Sequence, residues 1–594
     1  MKRVDLLLEK GVRLWSSGDK IHYEVPVNAE VERKLLNESL AWIKVHKRET
    51  IAYLQEKSKT YKRVVGIDIE TTDLDPLKGE IVLVGIAEES LTGTSSNLEE
   101  IRGLLKDREI LKVFHNAGFD VHWLQVKGYE VNTYTDTMII SQVLNNRVKS
   151  ENSLLALAHK YLNVVMDKSL QPASNWNAQI TDAHKQYCAK DAEITLKLYY
   201  IMMPLIHERL LTEVLQRELD VLPAMMRLKA DGIRFDWEGW EVELENLKYK
   251  KESLGNKILT EIGMDINLKS PKQLKSVLQQ MGIPVEGTSD EILAKYEMDS
   301  PIITDLREYK KLQKRISAFG DDFKAKISSD GRIRGNWKSI GADTGRMSCT
   351  QPNLQGIPKI AKRYCIPEPG NKFVICDVSQ AELRILAEVT KDPEMVENYQ
   401  VDGDLHKRTA SMILNIPFDT VTDGQRQVAK ALGLGLMYGM ESKSLRSTIK
   451  KDYGITLTEE ETERLRNNYF STFKAVSTYQ HQMLKADVIR SLGGRYWGNG
   501  LYIPDKGKRS RINYPIQATS AEGLKEALIL LDKQMDSSWK LVACVHDECV
   551  LEVPEHQANQ ALQVLKNCMK LGLEKVVKNV PIKIDGHIDT YWSK

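Results

Sequence analysis

Short β-branched runs typical of buried strands occur at three widely separated places in the chain, and long helical patterns lie between them. The runs are residues 64–69, 81–87 and 112–114, then 372–377, and finally 541–545 and 549–553. Strands interleaved with helices predict an α/β domain over about residues 60–200. The later strands, set among long helices, predict a second, α+β part of the chain.

The length and composition limit the class of protein. The 594 residues suffice for about four structural units. Hydrophobic residues make up 42% and charged residues 28%, which excludes a disordered or collagen-like chain. Lys and Arg total 84 against 82 Asp and Glu, which gives a net charge of +2. This balance argues against a surface that is basic over the whole protein, but it is compatible with local basic patches.

The chain shows no targeting or membrane signal. No apolar run reaches the roughly 20 residues of a membrane span, and the N-terminus does not resemble a signal peptide. The seven cysteines include no CxxC pair and no zinc-type cluster, so we expect buried thiols in a reducing compartment. We therefore expect a cytoplasmic protein.

Two charged helical stretches leave alternatives open. Residues 30–58 predict one amphipathic helix at the end of a small N-terminal segment, residues 1–60, of unknown role. Residues 306–323 predict one extended helix with few acidic residues near its basic side chains. The five basic side chains are Arg307, Lys310, Lys311, Lys314 and Arg315. This second helix is either a solvated face or a face that contacts phosphates.

Four carboxylates form a first constellation. Asp68 and Glu70 share one face of a predicted strand, Asp120 falls in the first turn of a helix, and Tyr187 and Asp191 share one helical face. Neighbouring carboxylates raise each other's pKa unless a cation lies between them. Singly, each acid is typical of a surface charge, but together they predict a two-metal hydrolytic site.

The order of these residues resembles a known family. Asp68-Ile69-Glu70-Thr71-Thr72, then Asn116 to Asp120, then Tyr187 to Asp191 resemble the three motifs of the DnaQ-like 3′→5′ exonucleases, which have an RNase H-like fold. The resemblance implies that Asp68, Glu70, Asp120 and Asp191 hold two Mg²⁺ or Mn²⁺ ions. It also implies that Tyr187 orients the attacking water.

Two further acids follow apolar strands. Asp377 ends the strand at 372–377, and Asp547 lies at the tip of the predicted hairpin. A buried acid needs a partner, so the two would suit one metal site, although either alone is also typical of a turn-capping Asp. Because they are far apart in sequence, the sequence cannot show that they meet.

A basic stripe marks the helix that starts near residue 425. Four side chains recur at i+4 intervals: Arg426, Lys430, Leu434 and Tyr438. Arg and Lys at this spacing repel unless a polyanion such as a triphosphate binds them, the alternative being a solvated basic face. Gly433 and Gly435 disfavour the helix, so something must approach that backbone closely or the helix must bend.

These segments together resemble the family A DNA polymerases. The matching stretches are Thr344-Gly345-Arg346-Met347-Ser348 with Pro352-Asn353-Leu354-Gln355, Asp377 to Arg384, Arg426 to Gly439, Arg509 to Gln517, and His546-Asp547-Glu548. The resemblance implies a right hand after an exonuclease domain at residues 61–203. Its parts would be a thumb (about 204–335), a palm (about 336–400 and 495–594) and fingers (about 401–494).

The resemblance also implies a role for each matched residue. Asp377 and Asp547 would hold two Mg²⁺ ions, and Lys430 would protonate the leaving pyrophosphate. The expected dNTP contacts are Arg426, Lys430, His406, Glu382, Leu434, Tyr438 and Gln380, with Glu382 excluding ribonucleotides. The expected DNA contacts are Arg346, Asn353, Gln355, Arg509, Asn513, Gln517, His546 and Glu548, with the basic helix at 307–315 tracking the duplex.

The sequence departs from the family pattern in three places. Leu434 replaces the usual aromatic residue, which bears on dideoxynucleotide discrimination and fidelity, and Gly433 replaces Asn. Ser520-Ala521-Glu522 replaces Ala-Ala-Asp, a change we expect to be tolerated. Only about 60 residues precede the exonuclease region, so we expect no 5′ nuclease. This absence and Leu434 favour a phage or other viral replicase over a housekeeping repair enzyme.

The sequence therefore predicts a monomeric, proofreading DNA-dependent DNA polymerase that acts on primer–template DNA and dNTPs in a bacterial or phage-infected cell. Its replisome partners are unknown. Two alternatives are a nuclease whose polymerase half only binds DNA and a non-enzymatic primer–template-binding protein. The intact Asp377, Asp547, Arg426 and Lys430 argue against both.

Overall fold

The computed structural model describes residues 1–17, 20–25, 31–57, 61–146, 151–167, 169–172, 176–177, 179–297 and 300–593. Within these ranges the chain forms a small N-terminal unit, a mixed five-stranded sheet with its helices, a helix-rich region, and an antiparallel four-stranded sheet that carries a large helical insertion. No helix in these ranges combines the length and apolar character needed to cross a bilayer.

The N-terminal unit packs around its own apolar core, which includes Val4, Leu7 and Ile43. Its elements are α1 (Lys2–Glu9), β1 (Arg13–Ser17), β2 (Lys20–Glu24), α2 (Arg33–Val45) and α3 (Lys47–Lys57). The prediction of one helix over 30–58 is wrong, because the backbone leaves the helical region at His46 (φ −107°, ψ 42°). Residues 30 and 58 themselves lie outside the described ranges.

The first sheet has the strand order β5-β4-β3-β6-β7, and β3 pairs antiparallel with β4 and parallel with β6. The elements of this α/β domain are β3 (Arg63–Thr71), β4 (Ile81–Ala87), β5 (Thr92–Ser95), α4 (Arg102–Lys106), β6 (Ile110–Phe114), α5 (Ala117–Val126), β7 (Tyr134–Asp136), α6 (Thr137–Asn145), α7 (Leu154–Leu162) and α8 (Asp182–Glu208). The predicted strands are thus confirmed.

Helix α8 lies directly against this sheet. A Cβ atom at Gly66 or Gly85 would come 2.4 Å from a backbone carbonyl oxygen of α8, so only glycine permits this approach. The helix continues through Pro204 to Glu208. The boundary expected after residue 203 therefore falls within α8.

A helix-rich region follows the α/β domain, and it contains the basic helix predicted over residues 306–323. Its elements are α9 (Thr212–Asp220), α10 (Leu222–Asp231), β8 (Ile233–Arg234), α11 (Trp237–Ile262), α12 (Pro271–Gln280), α13 (Asp290–Leu293), α14 (Pro301–Ala318), α15 (Asp321–Lys324) and β9 (Arg332–Ile333). The single helix predicted over 306–323 is two helices, because the chain turns at Phe319 and Gly320 before α15 begins.

The basic side chains of α14 do not form one exposed face. Arg307 is only 3% exposed and forms ion pairs with Asp290 and Glu297. Lys310 donates a hydrogen bond to the carbonyl of Thr288, and Lys311 lies 3.7 Å from Glu308. The expectation that this helix has few acidic partners is wrong for Arg307, whose partners lie 10 and 17 residues away in the sequence.

The second sheet has the order β15-β16-β12-β17. The remaining elements are β10 (Asn336–Lys338), β11 (Ser348–Thr350), α16 (Lys359–Lys362), β12 (Asn371–Val378), α17 (Ala381–Thr390), α18 (Pro393–Gln400), α19 (Leu405–Leu414), α20 (Asp423–Met437), α21 (Ser442–Tyr453), α22 (Glu459–Thr472), α23 (Lys474–Lys485), β13 (Val488–Arg490), β14 (Tyr496–Gly498), α24 (Ser510–Asp532), β15 (Lys540–Val545), β16 (Glu548–Pro554), α25 (Ala558–Glu574) and β17 (Ile584–Asp589). The strands predicted here are confirmed, and all seven cysteines are buried free thiols, as expected.

Candidate active sites

Strand β3 and helices α5 and α8 bring the first constellation together. We call it the exonuclease site (Asp68, Glu70, Asp120, Asp191 and Tyr187) after the family that its motifs resemble. Asp68 and Glu70 are half-buried on one face of β3, and oxygen atoms of both lie within 4.8 Å of each other and of the Cys188 sulfur. Asp120 and Asp191 are buried beside them, at 4% and 5% exposure.

Negative charge accumulates in the exonuclease site. Burial raises the pKa of Tyr187, and the charges of Asp191, Glu70 and Asp68 add to this effect. Burial and then the carboxylates of the site likewise raise the pKa of Cys188 well above its usual value, which keeps the thiol neutral. Because the other ligand atoms of this cluster are carboxylate oxygens of Asp68 and Glu70, with Asp120 and Asp191 buried beside them, the residues fit hard divalent cations such as Mg²⁺.

A buried carboxylate that the sequence reasoning missed supports this site. Asp136 accepts hydrogen bonds from the backbone N–H groups of Asn116, Ala117, Met138 and Ile139, at 2.7 to 3.3 Å. It therefore caps α6 and also fixes the left-handed turn at Asn116 (φ 76°) that starts α5, the helix of Asp120. An Asp directly before a helical run is the signal that could have revealed it.

The second constellation meets in a cavity of about 570 Å³. We call it the polymerase cleft after the family that these residues resemble. Asp377 comes from the end of β12, and Asp547 comes from the turn between β15 and β16. These segments are joined by a 3.2 Å hydrogen bond from the N–H of Val378 to the carbonyl of Asp547. The other predicted residues that line the cleft are Arg346, Gln380, Glu382, His406, Arg426, Lys430, Leu434 and His546.

Helix α20 supplies the basic wall of the cleft. A capping box between Thr422 and Gln425 starts the helix and so fixes the direction of Arg426, Lys430 and Leu434. Tyr438 lies past the last residue of α20 and does not line the cleft. Of the two glycines, Gly435 lies where a Cβ would come 2.8 Å from Leu445, whereas Gly433 has open space.

Two ion pairs and a neutral histidine shape the charge in the cleft. The guanidinium Nε of Arg426 lies 2.6 Å from Asp404, a cleft-side acid that the sequence reasoning missed and that also caps α19. Arg346 pairs with Glu382. Burial, together with the charges of Arg426 and Lys430, lowers the pKa of His406 to about 4.

Several expected contacts lie outside the cleft or are already engaged. Gln380 accepts a hydrogen bond from Tyr399, Asn353 caps a short 3₁₀ turn, and Gln355 donates to the carbonyl of Cys544. Buried Glu548 accepts from the Trp592 indole at 2.7 Å and lies 3.3 Å from Lys362. The residues of the 509–517 segment do not line the cleft: Arg509 pairs with Glu441, and Asn513 and Gln517 are half-buried on α24.

One residue of the cleft is not among the predicted contacts and appears in the sequence only as a departure from the family pattern. Ser520 lines the cavity. Two residues further along, buried Glu522 accepts hydrogen bonds from Ser491 and from the N–H groups of Gly493 and Arg495. The Glu at this position thus holds the turn between β13 and β14, a contact over about 30 residues that sequence spacing does not reveal.

Comparison with known proteins now defines the class. Residues 240–594 match the model of DNA polymerase family A, and residues 42–207 match that of a 3′-5′ exonuclease. The chain belongs to DNA polymerase family A, and it is a DNA-directed DNA polymerase with an RNase H-like 3′→5′ exonuclease domain, as the sequence predicted.

Bacterial DNA polymerases I are among the relatives of the chain. The chain is 30% identical to DNA polymerase I of Aquifex aeolicus over 580 residues, which cover 90% of this chain and 98% of the relative. It is 26% identical to DNA polymerase I of Pseudomonas aeruginosa, covering 97% of this chain and 68% of that protein. Its fold also matches the POL domain of Pol1 from M. smegmatis in complex with DNA primer-template and dNTP. That match has a TM-score of 0.78 and 22% identity, and it covers 93% of this chain and 98% of the other.

Proposed function

We propose that this polymerase extends primer 3′ ends in the polymerase cleft and removes mispaired 3′ nucleotides in the exonuclease site, as a replicative enzyme with proofreading. The observation that carries the proposal is the single cavity in which Asp377 and Asp547 lie together with Arg346, Arg426 and Lys430. Carboxylates and fixed cations side by side suit metal-assisted transfer of a nucleotide from a triphosphate.

Asp377 and Asp547 would hold two Mg²⁺ ions, and the four exonuclease carboxylates would hold another two, with Mn²⁺ as a substitute. When bound, such a pair of ions activates the attacking oxygen and neutralises the leaving oxygen of a phosphoryl transfer. In the exonuclease site, Tyr187 shares a face of α8 with Asp191 and would orient the attacking water by hydrogen bonding.

The walls of the cleft would select and hold the nucleotide. Arg426 and Lys430 would bind the triphosphate, with His406 as a neutral hydrogen-bonding neighbour, and Lys430 would give a proton to the departing pyrophosphate. Glu382 would exclude a ribose 2′-hydroxyl. The remaining proposed nucleotide contacts are Gln380, Leu434 and, after rearrangement of the end of α20, Tyr438.

The DNA would lie across the front of the cleft. Arg346 and His546 line the cleft and would reach the primer end. Arg509 at the start of α24, and Asn513 and Gln517 on that helix, would follow the template. Asn353, Gln355 and Glu548 would act by supporting the β15–β16 turn. We propose a thumb at about 204–335, a palm at about 336–400 and 495–594, and fingers at about 401–494, with the exposed Lys311 and Lys314 of the thumb facing the duplex.

The decisive experiment uses a 5′-labelled primer on a longer template, with Mg²⁺, in the presence and absence of the four dNTPs. Extension with dNTPs and shortening without them are expected. The variant with Asp68→Ala and Glu70→Ala should extend but no longer shorten the primer. If the wild type shortens the primer in both conditions, the cleft binds DNA without catalysing its synthesis. If the double variant shortens the primer, the assignment of the exonuclease site is wrong.

A further inference from the structure

The peptide that precedes Arg346 is hydrogen-bonded by one buried cation and packs closely against another. Gly345 has a left-handed backbone (φ 77°), and a Cβ there would lie 2.8 Å from Nε of Arg495. Lys525 of α24 donates a 2.7 Å hydrogen bond to the Gly345 carbonyl. The loop that carries Arg346 into the polymerase cleft therefore rests on these two side chains.

One carboxylate forms an ion pair with both cations. Glu218 of α9 lies 2.8 Å from Nη2 of Arg495 and 2.6 Å from Nζ of Lys525. The side chains of Glu218 and Lys525 are 1% exposed and that of Arg495 is 2% exposed. Two like charges this deeply buried need a partner, because water cannot screen them.

The arrangement extends into the exonuclease domain. Nη1 of Arg495 donates a 2.8 Å hydrogen bond to the side chain of Asn146, which follows α6, and Asn146 donates in turn to the carbonyl of Tyr496. Glu522 holds the same β13–β14 turn from the side of α24. The turn that positions Arg495 is thus held by both enzymatic halves of the chain.

From these contacts we infer that Glu218 is a positioning residue for Arg346. Through Lys525 and Arg495 it fixes the Gly345–Arg346 peptide, and so keeps the Arg346 guanidinium in the cleft beside Glu382. The inference rests on the proposed function of Arg346 at the primer end. It gives α9, which links the exonuclease domain to the rest of the chain, an indirect part in DNA synthesis through Arg346.

Glu218→Gln keeps the shape of the side chain but removes the negative charge that pairs directly with both Lys525 and Arg495. We expect the loop to shift and the rate of primer extension to fall at least tenfold, while degradation of single-stranded DNA stays within twofold. Lys525→Met is the second variant, because it removes the bond to Gly345 and leaves the pair of Glu218 and Arg495 intact. Lys575→Met, at a half-exposed lysine of an ion pair with Glu526, is the matched control and should leave both activities unchanged.

The double variant distinguishes positioning from general stability. If Glu218 acts through Arg346, then Glu218→Gln combined with Arg346→Ala extends primers no more slowly than Arg346→Ala alone. Losses that multiply, or a parallel loss of exonuclease activity, would overturn the inference. If Glu218→Gln does not fold, the double variant is made with Lys525→Met in its place, and the same two outcomes would overturn the inference.

Hydrogen exchange separates this inference from the proposed function. In Glu218→Gln and in Lys525→Met, amide exchange within residues 341–350 should rise at least tenfold relative to β12, whatever the activity of the wild type. Unchanged exchange in this segment would overturn the inference. A wild type that fails to extend primers would instead overturn the proposed function.

Discussion

The exonuclease site and the polymerase cleft both gather carboxylates, but they differ in the charges around them. In the exonuclease site, the charges that raise the pKa of Tyr187 and Cys188 are carboxylates. In the polymerase cleft, Arg346, Arg426 and Lys430 line the same cavity as the acids. Hydrolysis of one phosphodiester needs metal ions and water, whereas a triphosphate substrate brings charge that fixed cations can offset.

The largest expected effect tests whether the two sites are independent. Asp377→Asn should lower the rate of primer extension by at least about 10³-fold, because it removes a proposed metal ligand, and it should leave degradation of single-stranded DNA within twofold. Asp585→Asn is the matched control, since Asp585 is exposed and lies opposite Asp377 on β17. A parallel loss of degradation would show that the sites are not separate.

The next effect falls on the exonuclease site alone. Asp136→Ala leaves four backbone N–H groups without their acceptor, so we expect the free energy of unfolding to drop by roughly 2–4 kcal/mol. Degradation should fall about 10- to 100-fold because α5 no longer places Asp120, as measured on a labelled single strand. Exposed Asp182→Ala is the control. Intact degradation in a destabilised Asp136→Ala would show that α5 is placed by other contacts.

A smaller effect concerns the fixed cations of the cleft. Asp404→Asn keeps an oxygen to cap α19 but removes the charge that orients Arg426. We expect the KM for dNTP to rise about 3- to 10-fold with a smaller change in kcat, since one charge-assisted hydrogen bond of preorganisation is lost. Steady-state kinetics on a primed template, with exposed Asp423→Asn as the control, measure this. A lower KM would mean that Asp404 competes with the triphosphate instead.

The smallest effect is a pH dependence of stability. The pKa of His406 is lowered to about 4 in the folded protein, below the about 6.5 of an unfolded chain. Between these values the unfolded state binds the extra proton, so the contribution of neutral His406 is present above about pH 6.5 and is lost as the pH falls towards 4. His406→Gln should therefore lose less stability between pH 7 and 5 in urea unfolding than the wild type. Exposed His481→Gln should lose as much as the wild type.

The sequence predicted the parts of the fold that depend on local patterns. The strands at 64–69 and 372–377 were recognisable from β-branched runs, and the i+4 stripe of α20 placed Arg426 and Lys430 on one face. Because alternate residues of a β-strand share one face, the sequence likewise placed Asp68 and Glu70 on the same face of β3. The shared cavity of Asp377 and Asp547 depends on how the chain folds in three dimensions. The sequence predicted it only through the resemblance to a family.

The remaining features depend on contacts between distant residues. Arg307 finds Asp290 and Glu297 across a turn, so counting acids on its own helix predicted an exposed charge that the structure does not have. Likewise, Glu218 meets Lys525 about 300 residues away. The helix breaks at His46 and near Gly320 were missed because composition alone resembles continuous helix there.

The passage of α8 through Pro204 bears on how the protein can be cut into pieces. Its 27 residues span ~40 Å, and Ile206 and Leu211 beyond the proline are buried in the core of the α/β domain. A fragment that stops at residue 203 would discard these side chains and expose the surface they cover to solvent and proteases. The same core also contains Val214, Leu215, Leu222 and Met226, so an isolated exonuclease fragment has to include α9 and α10 as well as the end of α8.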